Sequence, residues 1–161
     1  MIMLDVVIHR EGVRAVLLSE DQHVLLFRML DDEGNVFWIP PGGGIEPEEN
    51  PEQAMHRELR EEVGLSTAVI GPVLLDRRAK FTFRGRQYCQ HEHYFAVIAP
   101  RFTPQTSDEE ERSQITEFRW WSVDELMLSS DRLIPALLPT IVSAFLKDGP
   151  PTSVPTEIVG D

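Results

Sequence analysis

The chain is 161 residues long, 42% hydrophobic and 26% charged. That composition excludes a fully disordered protein and sets one domain with a buried core as the expectation. A net charge of −12 at pH 7 argues against nucleic acid and anionic membranes as partners, so a phosphate-bearing substrate needs cations local to its site.

The single cysteine, Cys89, forms no intrachain disulfide and indicates a reducing compartment. Met1 to Leu18 is broken by Asp5, His9, Arg10 and Glu11, so it lacks the apolar run of a signal peptide or membrane span. The expectation is a cytoplasmic protein. In chain order, "VRAVLL" and "HVLLFRML" are short apolar runs separated by "SEDQ", a hairpin pattern. "DDEGN" is a turn, and "VFWIPPGGG" a brief strand ended by Pro40 and Pro41. Asn50-Pro51 starts a helix: Asn50 caps it, Pro51 suits the first helical position, and Gln53 completes a capping box. Gly64 ends it in a left-handed conformation.

"STAVIGPVLLDRRAKFTFRG" and "QYCQHEHYFAVIAP" read as further strands, "RFTPQTSDEEERSQ" as a polar loop, and "ITEFRWWS" as another strand. Ser122 to Glu125 resembles a helix start. "DRLIPALLPTIVSAFLKD" carries Leu133, Leu137, Ile141 and Ala144 or Phe145 at helical spacing, with Pro135 and Pro139 working against a continuous helix. The expected domain is 1–148. Residues 149–161 are rich in proline, serine and threonine and read as a peripheral tail.

The first helix is where chemistry concentrates. On a wheel of about 100° per residue, Glu62 lies near +40° and Glu61 near −60° from Glu58, so the three share a face. Met55, Leu59 and Val63 form the adjacent apolar stripe. Two carboxylates about 6 Å apart repel by ~3 kcal/mol at an effective dielectric of 20, and the helix C-terminus adds to that. Arg57 offsets part of it. A solvated acidic face is the ordinary meaning of such a run; a bound hard divalent cation accounts better for carboxylates held together.

Gly43, five residues, Glu49, seven residues, then Arg57-Glu58-Leu59-Arg60-Glu61-Glu62-Val63-Gly64-Leu65 matches the signature box of the Nudix hydrolases without departure. Seven specified residues coincide by chance in about one chain in a million at ~1/15 usage each. The flanks "FWIPPGG" and "TEFRWWSVDEL" are also similar to that family's. The resemblance implies an α/β/α sandwich around a mixed β-sheet, and Mg²⁺- or Mn²⁺-dependent hydrolysis of a nucleoside diphosphate linked to another group. Carried over by position, Glu58, Glu61 and Glu62 are metal ligands, joined by the Gly43 carbonyl. Arg57 orients a box carboxylate, and Glu61 is the favoured general base.

Around the box, Arg28 shares a strand face with Val24 and Leu26, where an arginine needs a partner such as a phosphate; the family often carries one here. "DRRAKFTFRGR" gathers Arg77, Arg78, Lys80, Arg84 and Arg86, a positive field for an anionic substrate or simply a charged hairpin. His91 and His93 fall on one strand face and Glu92 on the other. His-x-His can ligate zinc, but no third ligand is evident along the chain, so the pair reads as lying at a strand or pocket edge. Glu92 is a minor candidate for an extra carboxylate; Glu109, Glu110, Glu111 and Glu117 compete as a distal ligand or base. Trp38 reads as core, and Trp120 or Trp121 as a stacking surface for a nucleobase.

The expected activity is hydrolysis of a pyrophosphate bond in a small nucleotide. Two alternatives use the same fold: an isoprenoid-diphosphate-type isomerase, for which Cys89 beside His91 and His93 is the relevant feature, and a non-catalytic nucleotide sensor. The complete box argues against both. Substrate identity is not fixed, and a homodimer stays open.

Overall fold

A computed structural model of the chain describes residues 6–106 and 114–160. Strand β1 (Val7–Leu18) is its hub. Along one edge it pairs in parallel with β6 (Arg86–Ile98) over its whole length. Its other edge splits. β4 (Gly42–Gly44) pairs with Gly12 to Arg14, whereas β2 (His23–Leu30) meets β1 only at Leu18 and Val24. From there β2 diverges, pairing with β3 (Val36–Ile39) and β7 (Glu117–Ser122). β5 (Val69–Phe83) lies antiparallel to β6, joined through Arg84 and Gly85, both at positive φ in a tight turn. β8 (Arg132–Leu133) and β9 (Thr156–Val159) form the sheet's two ends.

Period-two alternation sorts the strands onto two cores. Val13, Ala15, Leu17, Leu25, Phe27 and Val97 face one side, where Ala54, Met55, Leu59 and Val63 of the first helix cover them. Val16, Leu18, Val24, Leu26, Tyr94 and Trp121 face the other, covered by α2 (Val123–Leu128) and α3 (Leu138–Asp148). This is the expected α/β/α sandwich with a mixed sheet. Trp38 is buried and meets Trp121 edge-on at 5.0 Å.

The predicted caps are present. α1 (Pro51–Glu58) opens on the reciprocal Asn50–Gln53 capping box, and Gly64 closes its extension at φ 77°. Ser122 and Glu125 form a second capping box at α2. The proline conflict in the last helix resolves by position: Pro139 sits in the first turn of α3, where its missing N–H costs nothing, and Pro135 lies before the helix.

Two features depart from the sequence reading. The last turn of the box helix, Leu59–Val63, widens into a π-helix, a form that recurs at functional sites. Part of the stretch read as a peripheral tail is β9, which runs parallel to β5 from Asp76 to Ala79. Glu157 fastens it: its carboxylate, 9% exposed, accepts from Arg77 at 2.8 Å and from the Leu137 backbone N–H at 2.9 Å. Among the described residues no helix is long and apolar enough to cross a membrane.

Candidate active site

The divergence of β2 from β1 leaves room for β4, and β4 sets the glycines against the box helix. Gly43 sits so close that a Cβ there would stand 2.5 Å from Glu58 Oε1. Only glycine allows its backbone and that carboxylate to lie side by side.

Arg57 organises the box. Its Nε and Nη2 donate to the two oxygens of Glu49 at 2.8 and 2.9 Å. Nη1 donates to Glu58 at 2.9 Å and Glu61 at 3.2 Å, while Nη2 also reaches the Gly44 carbonyl at 2.8 Å. One planar fork thus ties the helix to the glycine strand. Hydrogen bonding to Arg57 holds the Glu49 carboxyl down at about 2. Glu58 moves the other way: burial raises its proton affinity, and Arg57 compensates only in part.

The three box glutamates are not equivalent. Glu58 and Glu62 are buried, at 6% and 5% exposure, whereas the Glu61 side chain is 48% exposed. The wider π turn explains the division, since a smaller angle per residue keeps Glu62 under Glu58 and swings Glu61 outward. Nothing in "LREEV" announces that turn.

Beside Glu62 opens a cleft of about 690 Å³, walled by Phe27, Gln105, Thr106, Thr116, Glu117 and Phe118. The loop after β6 is pinned to the helix end by Gln105 N–H to the Val63 carbonyl and by Thr106 Oγ1 to the Glu61 carbonyl. Size and polarity suit a small ligand. Phe27 and Phe118 are cross-strand partners on its wall. Of the two candidates offered by the sequence, Trp121 is buried in the other core, and Trp120 lies two residues farther along the Phe118 face, its indole donating to the Phe102 carbonyl at 3.3 Å. The period of two that puts Trp120 on this face also puts Phe118 there, and the 42% exposure of Phe118 distinguishes them.

The arginines separate. Arg28 lies on the α3 face, and its Nη1 donates to Thr116 Oγ1 of the cleft wall at 2.9 Å. Arg77, expected at the substrate, is instead buried on the α3 face, paired with Glu157 at 2.8 Å and with Glu92 at 3.6 Å. Arg78, the next residue, is exposed on the opposite face, across from His91. Arg84 and Arg86 are exposed at the hairpin end. Glu92 is 2% exposed and bonded on the α3 face to Arg14 at 2.8 Å, whose guanidinium also reaches the Gly42 carbonyl at 3.5 Å; burial opposes the Glu92 charge, but Arg14 and Arg77 still hold its carboxyl below the usual range. Glu109, Glu110 and Glu111 lie outside the described residues, and Glu117 lines the cleft.

A family model described as NUDIX domain matches residues 8–139. An RNA pyrophosphohydrolase of Gluconacetobacter diazotrophicus is 36% identical over 117 residues, 62% of this chain and 66% of that protein. One of Rickettsia africae is 30% identical over 134 residues, 74% of this chain and 78% of that protein. Among solved structures, the Escherichia coli ORF135 protein superposes with a TM-score of 0.62 at 27% identity, covering 91% of this chain and 96% of that one. A Caenorhabditis elegans Ap4A hydrolase has the same fold, with a TM-score of 0.60 at 19% identity, covering 86% and 98%. With a family match over most of its length and the full signature box in place, the chain belongs to the NUDIX domain family and is an enzyme of the Nudix pyrophosphohydrolase class.

Proposed function

We propose that this enzyme hydrolyses a pyrophosphate bond in the phosphate chain of a nucleoside di- or triphosphate, or of a nucleoside diphosphate derivative, with Mg²⁺ or Mn²⁺ as cofactor. The charge surplus at the box carries the reading. One guanidinium lies within 4.0 Å of Glu46, Glu49, Glu58 and Glu61, and Glu62 is buried in the same turn. Glu58, Glu61, Glu62 and the Gly43 carbonyl are the residues that would hold the cation. Hard oxygen donors suit Mg²⁺ or Mn²⁺, and the side-by-side fit of Gly43 and Glu58 supports the carbonyl as a partner.

When bound, such a cation neutralises phosphate charge and makes a water more acidic. The remaining work falls to side chains. Arg57 fixes the direction of Glu58 and keeps Glu49 ionised. Glu61, half exposed at the end of the same fork, takes the proton of the attacking water as general base. Arg28, bonded to Thr116 of the cleft wall, and Arg78, exposed on the box side of the sheet, hold the outer phosphates. Phe118, on the cleft wall, offers a ring to the base, and Trp120 lies two residues farther along the same strand face. Arg77 has no part in this arrangement, since its charge is already met.

A second reading places the phosphate chain on an RNA, as the names of the two relatives suggest for those proteins. The net charge of −12 opposes extended backbone contact and limits such binding to a chain end. The test is a panel of nucleotides and a 5′-triphosphorylated oligonucleotide, assayed with Mg²⁺ and Mn²⁺ in ¹⁸O-water. The expected result is label on a phosphate product, faster for a mononucleotide than for the oligonucleotide. An allylic isomer as product, or no metal-dependent turnover of any member, overturns the hydrolase reading.

A further inference from the structure

On the same face as the box helix, but with ligands of its own, lies a group of side chains that the pyrophosphate chemistry does not use. The parallel register of β1 and β6 sets Glu11 opposite His91, and the antiparallel register of β5 and β6 sets Asp76 opposite His93. The two imidazoles stand 4.6 Å apart between the two carboxylates. Glu11 lies on one side, 3.6 Å from His91 Nδ1 and 3.9 Å from His93 Nε2. Asp76 lies on the other, 2.7 Å from His93 Nδ1 and 4.0 Å from His91 Nε2. One donor atom from each of Glu11, His91 and His93 falls within 4.8 Å of the other two. His91 Nε2 is buried without a hydrogen-bond partner.

From this geometry we infer a divalent transition-metal site formed by Glu11, His91 Nδ1 and His93 Nε2, with Asp76 as the orienting partner. Two imidazoles and one carboxylate select a borderline cation of the Zn²⁺ type and leave coordination positions open, whereas Mg²⁺ prefers the all-oxygen set of the box. With His93 Nδ1–H donating to Asp76 at 2.7 Å, Nε2 is left as the lone-pair donor on the side of Glu11. This is the carboxylate–histidine pairing that commonly backs a metal ligand. Closing the three donors onto a cation shortens separations of 3.6 to 4.8 Å only modestly. The neighbouring residues Gly12 and Gly44 pair directly, so the site sits beside the glycine strand while sharing no ligand with the box.

The test uses untagged full-length protein in which the box is disabled by Glu61→Gln and Glu62→Gln. Zn²⁺ retained after gel filtration is measured, and Co²⁺ is titrated with its visible absorption as readout. The expected result is one retained equivalent and a Co²⁺ spectrum of a nitrogen-ligated site. His91→Ala or His93→Ala should weaken binding by about 100-fold or more, and Asp76→Asn by about 10- to 100-fold. Glu11→Gln, at an exposed side chain that leaves folding unaffected, should also weaken it. Imidazole resonances of His91 and His93 should shift with Zn²⁺. No retained Zn²⁺, or retention that the His91, His93 and Glu11 substitutions leave unchanged, overturns the site.

Discussion

Two groups of charged side chains lie on opposite faces of the sheet. On the α3 face Arg14, Glu92, Arg77 and Glu157 form a chain of pairs, with Tyr94 donating to Glu92 at 3.4 Å. Two guanidiniums meet two carboxylates, so the group is neutral within itself, although Arg14 also donates to the Pro40 and Gly42 carbonyls. On the box face one guanidinium serves Glu46, Glu49, Glu58 and Glu61. Both groups are partly or wholly buried, so burial does not distinguish them. Charge balance does. A buried ionic group that is neutral within itself can only hold elements together, and this one ties β9 to β5 and to the start of α3. A group with surplus charge of one sign stores repulsion that an added cation relieves.

That contrast makes predictions of decreasing size. Glu61→Gln and Glu62→Gln should each lower turnover by about 10²- to 10⁴-fold, with the melting temperature unchanged or raised because repulsion is reduced. Near-normal turnover in both would end the distinction. On the other face Glu157→Ala should cost about 3 to 5 kcal/mol in urea unfolding, because it leaves Arg77 buried beside a single shared carboxylate. Turnover per folded molecule should not change, and Arg77→Met with Glu157→Leu should recover most of the loss. Deleting residues 156–161 should destabilise in the same way; full stability without them would remove β9 from the fold's support.

Mg²⁺ at 100 times its Kd should stabilise the protein by about 2.7 kcal/mol through linkage. Glu58→Gln with Glu62→Gln should abolish that gain, whereas Glu157→Ala should keep it. The acid limb offers a smaller test. Glu49 is depressed from 4.5 to about 2, so the stability it contributes is fully present above 4.5 and lost as pH falls through about 2. Glu58 is raised, so its contribution has the opposite sign and fades as pH rises. Melting curves of Glu49→Gln should therefore show a shallower acid decline than wild type between pH 4.5 and 2. The least effect is at Arg78. Arg78→Ala should raise KM more than it lowers kcat, as loss of phosphate positioning that is equal in ground and transition states.

Local signals in the sequence account for much of the box. Asn50 and Gln53 mark where the helix begins, Gly64 where it ends, and the alternation of Val13 to Leu18 separates the two cores. Each depends on neighbours within a few residues, so each is visible in one dimension. The spacing of Gly43, Glu49 and Arg57 is also visible, whereas the bonds from Arg57 to Glu49 and to the Gly44 carbonyl appear only once the loop has folded back on the helix. What the tertiary structure decided are pairings between distant segments. Arg77 and Arg78 are adjacent and chemically alike, yet a period of two sends one into the core and leaves the other in solvent. Arg77 is neutralised by Glu157, 80 residues away, on a strand that composition alone marks as a tail. Glu11 reaches the His91 and His93 pair only because β1 and β6 run in parallel in that register, and a shift of one residue would turn it to the other face. Strand register depends on contacts across the whole sheet, and no short stretch of this chain contains that information.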